Sequence, residues 1–178
     1  MVRRIVTIDN DQDQSFALED RELKTALLDP ARPGFSRQRI WLTNSSPAKI
    51  HDLSWVDEAP ELLEPLESGA VFHIYQFPPD SIWRDDINAT KIANYFKTVG
   101  AEHAMQGDQN LHPYLQKTQT LDLCVILKGE ITLILDKHKV VLYEGDTVVQ
   151  RATRHTWSNH TSAPCTVAIS SHCARKET

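Results

Sequence analysis

The chain has 178 residues, 40% of them apolar and 24% charged, which suits one folded domain with a real core and excludes a disordered segment. Its formal net charge of −5 argues against nucleic acid or an anionic membrane as the main partner, since both need a basic face. Apolar runs such as LCVILKGEITLIL are broken by charges, and none reaches the ~18–20 residues of a membrane span.

The first residues, MVRRIVTIDNDQDQ, carry two arginines but no apolar stretch of signal-peptide length, so the chain reads as cytoplasmic. RRIVTI (3–8) and RQRIWLT (37–43) read as strands, separated by the turn-rich LLDPARPGFS. Asp9, Asn10, Asp11 and Asp13 lack the glycine and final Glu of a calcium loop and read as a solvated turn. KIHDLSWVDEAPELLEPLES (49–68) is acidic and proline-containing, and reads as loop. His51 within it, and His172 far downstream, carry no signal.

AVFHIYQF (70–77) is apolar or aromatic at nearly every position, which predicts a strand buried on both faces. Prolines in FPPDS end it. One helix is expected over about 88–105. Ile92, Phe96, Val99 and His103 fall on one face at period 3.6, Asn88 is its candidate N-cap, and Asp85 and Asp86 precede its positive end. His103 reads as a packed or edge residue.

From residue 118 onward the pattern is β. TLDLCVIL (120–127), ITLILD (131–136), VVLYE, TVVQ and TVAISS (166–171) are short strands divided by turn signals such as Lys128-Gly129-Glu130 and Glu144-Gly145-Asp146. Such spacing predicts a closed barrel or sandwich. Lys117, Lys128, His138 and His160 are expected at the surface. The three cysteines, Cys124, Cys165 and Cys173, have no metal-finger or CxxC spacing and read as reduced, buried thiols.

Two stretches carry a family likeness. Gly145, Asp146, His155 and Asn159 resemble the second motif of the cupins, in which a glycine opens a strand that leads to a Pro-x-Gly turn, then His and Asn. Arg151, Ala152 and Thr153 stand where the turn glycine would be, and the spacing is one residue short. Asp122 and Gly129 resemble the acidic end and turn of the first motif. The upstream stretch is similar to a subgroup of single-domain cupins found near polyketide and related biosynthetic genes, whose first motif is His-Pro-x-Met-His-Arg/Lys-Thr-x-Thr-x-Asp. His112, Pro113, Leu115, Lys117, Thr118, Thr120, Leu121 and Asp122 match or are conservative, and Gln116 sits where the second histidine would be. The likeness covers roughly residues 70–171, and the arm beginning VRRIVT shares it.

The resemblance implies an all-β fold, a single cupin double-stranded β-helix. Residues 1–69 would form an N-terminal arm that adds strands, residues 70–178 the barrel, and the helix would lie across one end. It also implies a homodimer. It does not specify a reaction, because cupins include dioxygenases, isomerases, epimerases, decarboxylases, hydrolases and binding proteins.

A non-haem iron, manganese or zinc site needs about three His or carboxylate ligands. The barrel offers His155 and Asp122. His112 would join them only if the 110–116 segment bends inward, and Gln116 is a weak neutral ligand. Without such a set, His155 and Asp122 suit metal-free acid–base catalysis, since apolar surroundings help a carboxyl hold its proton and an imidazole titrates near neutrality. Strand alternation puts Gln116, Thr118, Thr120, Asp122, Cys124 and Ile126 on one face. Trp157 shares a face with His155 and would stack on a planar substrate or fill the core. Tyr75 or His73 would line the opposite wall.

The expected function is a small enzyme of secondary metabolism, without a tightly bound metal or other cofactor, acting on a small partly aromatic or β-keto molecule. It would catalyse dehydration, decarboxylation, isomerisation or cyclisation, with His155 and Asp122 catalytic. Gln116, Thr118, Thr120, Cys124, Trp157 and Tyr75 would bind substrate. The alternatives are a metal-dependent oxygenase or decarboxylase using His155, Asp122 and His112 or Gln116, and a non-catalytic metabolite-binding cupin.

Overall fold

The computed structural model of the chain describes residues 2–50, 56–108 and 110–175. In chain order the strands are β1 (Arg3–Asp9), β2 (Ser15–Glu22), β3 (Leu27–Leu28), β4 (Ser36–Thr43), β5 (Ala70–Phe77), β6 (Thr120–Lys128), β7 (Glu130–Leu135), β8 (Lys139–Tyr143), β9 (Thr147–Arg151), β10 (His155–Ser158) and β11 (Cys165–Cys173). Helix α1 (Ala89–Thr98) lies between β5 and β6. His51 lies outside the described residues.

The fold is the cupin-type jelly roll. A six-stranded antiparallel sheet runs β3-β4-β5-β11-β6-β9 and a three-stranded one runs β10-β7-β8. Strands far apart in sequence therefore lie side by side, β5 next to β11 and β11 next to β6. The core fills the space between, with Tyr75, Ile126 and Val167 from the larger sheet and Ile131, Leu133 and Trp157 from the smaller. Strand β6 shows why one strand serves both core and surface. Thr120, Asp122, Cys124 and Ile126 are buried, and Leu121, Leu123, Val125 and Leu127 face outward, the period-2 pattern of a sheet with one covered face. Gly129 (φ 86) turns β6 into β7 and Gly145 (φ 90) leads into β9, a backbone region open to glycine at little cost.

β5 departs from the expectation of burial on both faces. Val71, His73, Tyr75 and Phe77 are buried, whereas Phe72 and Gln76 are exposed. Phe72 is apolar yet sits on the outer surface of the sheet, so composition alone misjudged that face. The helix is also shorter than 88–105. Asn88 caps it, its Oδ1 accepting the Lys91 N–H at 2.9 Å, but the helix stops at Thr98 and Gly100 takes a left-handed φ of 61°, a usual helix terminator. A separate 3-10 turn, Glu102–Ala104, follows. That break takes His103 off the buried face, and its ring lies 2.6 Å from Glu64 at the surface.

Strand β2 escapes sequence pattern because SFALEDRE is half charged and mostly exposed. It pairs with β1, supported by Arg3–Asp20 and Arg4–Glu19 ion pairs at 2.6 Å. Asn10 closes the hairpin by accepting the N–H groups of Gln12 and Gln14, the turn expected there. Of the cysteines, Cys124 and Cys165 are buried, but Cys173, at the last residue of β11, is exposed. No helix among the described residues is long and apolar enough to cross a membrane.

Candidate functional site

A cavity of about 50 Å3 opens between the sheets, with Gln116, Thr118, Thr120, Asp122 and Cys124 on one wall. His155 and Trp157 of β10 and Tyr75 of β5 complete the predicted set. All eight candidate residues thus reach one space. The volume holds only a few waters, so a small molecule, or the reactive end of a larger one, is what it can admit as it stands.

β10 begins at His155, after the turn 152–154 that follows β9, and pairs with β7. The imidazole is held at both ends. Nδ1 lies 2.9 Å from the Thr153 carbonyl oxygen, an acceptor that fixes the proton on Nδ1 and leaves Nε2 with its lone pair. Nε2 lies 3.4 Å from the Gln116 side-chain nitrogen. Among the described residues Asn159 makes no hydrogen bond to His155. Its amide donates to the carbonyls of Phe77 at 3.0 Å and Ala163 at 2.8 Å, so it clamps the β10–β11 loop onto β5.

Asp122 sits on β6 opposite Ser171 of β11 and Gln150 of β9. Its Oδ1 is buried with no hydrogen-bond partner among the described residues. Burial pushes the Asp122 carboxyl above its ordinary range, opposed in part by the Ser171 and Thr120 hydroxyls and by the nearby His155. Burial likewise lowers the affinity of His155 for its proton, opposed by the Thr153 carbonyl and by Asp122. Both groups are thereby driven towards their neutral forms, a carboxylic acid and a free imidazole base.

The other candidates play supporting parts. The Thr118 and Thr120 hydroxyls are 2.8 Å apart. Burial, aided by the Asp122 charge, pushes the Cys124 thiol up to about 12, so it is neither a thiolate ligand nor a nucleophile near neutrality. Trp157 meets His155 edge to face with centroids 6.4 Å apart. Tyr75 and His73 both point inward from β5, but only Tyr75 reaches the cavity.

His112 is not brought to the site. Its Nδ1 accepts the Tyr114 N–H at 3.2 Å, its Nε2 lies 3.6 Å from Asp80 Oδ2, and its ring packs against Trp83. The 110–116 segment folds back on itself through the Leu115-to-His112 backbone hydrogen bond, and the buried imidazole meets the Thr156 hydroxyl at 3.2 Å but does not itself line the cavity. No group of three His, Cys, Asp or Glu side chains suited to a metal ion occurs among the described residues. The His155 and Asp122 donors together with a neutral amide fall short of the three-ligand set such metals prefer.

Sequence reasoning missed part of the wall. Arg32 and Phe35, from the turn-rich stretch before β4, line the cavity beside Tyr95 of α1, Tyr114 and Ser171. Tyr95 lies on the buried side of α1 and Ser171 follows from the alternation of β11, so periodicity could have found both. Nothing in PARPGF marks Arg32.

No protein-family model matches the chain. Among curated proteins it is 44% identical over 46 residues to the phomopsin biosynthesis cluster proteins C' and D of Diaporthe leptostromiformis, 25% of this chain and 24% of each relative. It is also 44% identical over 48 residues to the cupin-domain-containing oxidoreductase srdD of Neurospora crassa, 26% of this chain and 24% of that one. The match thus spans about a quarter of these relatives' length. The chain is a cupin-fold protein distantly related to proteins of secondary-metabolite clusters. Among solved structures, the Cnp3 cupin domain of Schizosaccharomyces pombe is 4% identical with a TM-score of 0.48 over 96% of this chain and 87% of that one. A cupin 2 conserved barrel domain protein of Salinispora arenicola is 13% identical with a TM-score of 0.46 over 88% and 90%. Likeness at this level says nothing of activity.

Proposed function

We propose that this protein is a small cytoplasmic enzyme of secondary metabolism that moves protons on a small unsaturated or β-keto substrate without a tightly bound metal. The observation that carries the reading is the pairing of His155 and Asp122 on one cavity, each pushed by burial towards its neutral form. His155 Nε2 takes a proton from a carbon made acidic by an adjacent carbonyl. The C–H electrons move towards the carbonyl oxygen, and Asp122 donates its proton there. Return of a proton to a different carbon gives an isomer of unchanged composition. Where the substrate carries a β-hydroxyl, Asp122 protonates it instead and it departs as water. Acid–base assistance of this kind contributes ~10²–10⁴-fold in rate. The Thr118 and Thr120 hydroxyls and the Gln116 amide orient the substrate.

The test is solvent deuterium incorporation into a panel of small 2-enoic and 3-oxo acids, followed by NMR. His155→Ala and Asp122→Asn should each lower exchange by at least 100-fold while the variants stay folded at the assay temperature, as circular dichroism would show. Full activity in both variants ends the reading, and binding without exchange in the native protein supports a non-catalytic metabolite-binding cupin.

A second reading has one specific support. Asp122 Oδ1 lacks a partner among the described residues on the same cavity as His155 Nε2, and one relative is named an oxidoreductase. A divalent ion there would have His155 and Asp122 as its two protein ligands, with the Gln116 amide a weak neutral third and the remaining positions open, and would supply Lewis-acid or redox chemistry. Activity abolished by a chelator and restored by one metal would favour it.

We further propose a homodimer formed through the outer face of the larger sheet. Phe72, Ser170, Leu123 and Val149 lie in one row across β5, β11, β6 and β9, with Leu123 and Val149 45% and 60% exposed. An uncharged row of this kind is an unusual solvent face for a monomer and suits self-pairing across a two-fold axis.

A further inference from the structure

Arg32 is a cation where the interior of a small barrel seldom holds one. It is 6% exposed, and its guanidinium carbon lies 3.7 Å from the ring centroid of Phe35, 3.7 Å from that of Tyr114 and 4.5 Å from that of Tyr95. Aromatic rings therefore cover its flat faces, and only the N–H edges remain for hydrogen bonding. Nε donates to Asp29 Oδ2 at 2.7 Å. Asp29 is itself committed, with the Ala31 N–H on Oδ1 at 2.9 Å and the Tyr114 hydroxyl on Oδ2 at 2.7 Å. Arg32 Nη2 is left buried, with no partner among the described residues.

A buried guanidinium nitrogen without an acceptor is costly, and an acceptor brought by a ligand removes that cost. The same residue lines the cavity of His155 and Asp122. Arg37 is the other buried arginine with unpartnered nitrogens, but it does not line the cavity, and its Nη2 is paired with Glu61 at 3.1 Å. Arg32 alone of the two is placed to meet a ligand.

We propose that Arg32 is the anion-recognition residue of this cavity and binds the carboxylate of a small, planar carboxylic acid. The inference rests on the catalytic reading above for the statement that this acid is the substrate. A carboxylate matches the flat fork of a guanidinium edge, and the aromatic rings around it suit a conjugated chain. A phosphate fits less well, because its tetrahedral oxygens call for donors on several sides, whereas aromatic rings cover both flat faces of this guanidinium and its Nε is already bonded to Asp29. A carboxylate paired with Arg32 is stabilised as an anion, which opposes its loss as carbon dioxide. Of the reactions considered, isomerisation, dehydration and cyclisation are retained for an acid held in this way, and decarboxylation at that carboxylate is not.

The experiment is an NMR titration of the full chain with crotonate and with its neutral amide, crotonamide, following the side-chain signals of Arg32, His155 and Trp157. Crotonate should bind at least tenfold more tightly than crotonamide, and its addition should shift the Arg32 Nε–H signal where crotonamide does not. In Arg32→Gln the two affinities should come within twofold. Equal affinities in the native protein, an unmoved Arg32 signal, or a preference that survives Arg32→Gln would each overturn the proposal. The native titration decides the matter should Arg32→Gln fail to fold. The outcome is separable from the catalytic reading: deuterium exchange unaffected by His155→Ala and Asp122→Asn defeats that reading, while crotonate discrimination through Arg32 is measured by binding alone.

Discussion

Gln116 and His155 face each other across an isolated antiparallel bridge, the N–H of each donating to the carbonyl of the other at 2.9 Å. This pair of hydrogen bonds joins the segment before β6 to the start of β10. It places the Gln116 amide at the imidazole, the position that a second motif histidine would otherwise hold.

Gln116→His should therefore complete a metal site. With His155 and Asp122 it would offer three donors of the kind zinc and manganese prefer. The variant should bind one equivalent of Zn2+ at least tenfold more tightly than the native chain, measured by competition with a chromogenic chelator. The added affinity should vanish in the Gln116→His, His155→Ala double variant. Equal affinity in native chain and variant would show that the site is not laid out as described.

Acid should destabilise this protein earlier than its carboxylates alone require. His73, His112 and His155 are each buried with proton affinity below the ordinary value of 6.5, burial being the largest cause. Each binds its proton less tightly folded than unfolded, so unfolding takes up protons and stability is lost as the pH falls below about 6.5. His73 faces the positive charges of Arg37 and Arg39, and neither ring nitrogen has a partner among the described residues. His73→Leu should raise stability by ~1–3 kcal/mol and flatten the acid limb in urea melts between pH 7 and 5. Asp122→Asn runs the other way. Its carboxyl is raised in the folded state, so that contribution is fully present below the unfolded value and is lost as pH rises through the folded one. The amide variant should gain in relative stability from pH 4 to pH 8.

Ala152 keeps a glycine's backbone without being glycine. Its φ is 52° and its N–H donates to the Thr120 carbonyl at 2.9 Å. A left-handed conformation costs an L-residue ~1–2 kcal/mol, partly offset in glycine by greater freedom of the unfolded chain. Ala152→Gly should raise stability by about 0.5–1 kcal/mol, a shift of roughly 1–4 °C by calorimetry. A fall in melting temperature would mean that the turn is not strained.

The proposed dimer face has a direct check. Leu123→Glu places a charge within the uncharged row without touching the cavity wall, because outward and inward residues alternate along β6. Sedimentation should show a dimer for the native chain and a monomer for the variant, with crotonate binding preserved. A native monomer would remove the face from consideration.

The sequence by itself determined more of the barrel than of the site. Alternation from Gln116 to Ile126, together with the turns at Gly129 and Gly145, specified which β6 side chains point inward, because a strand has a period of two and one face must be covered. Asn88 was readable as a cap because capping is local. Two things local pattern could not decide. The helix ended early at Gly100, and β5 turned out one-sided, because burial depends on what packs against a face and not on the face alone. Sequence likeness named His112 beside His155, but the bend of 110–116 sent it to Asp80. Tertiary structure brought Arg32, more than 80 residues away in sequence from the Asp122–His155 wall, into the same cavity. An arginine in a proline-glycine turn has no pattern of its own. Only the packing of Phe35, Tyr95 and Tyr114 around its guanidinium buries it there and makes its unpaired nitrogen matter.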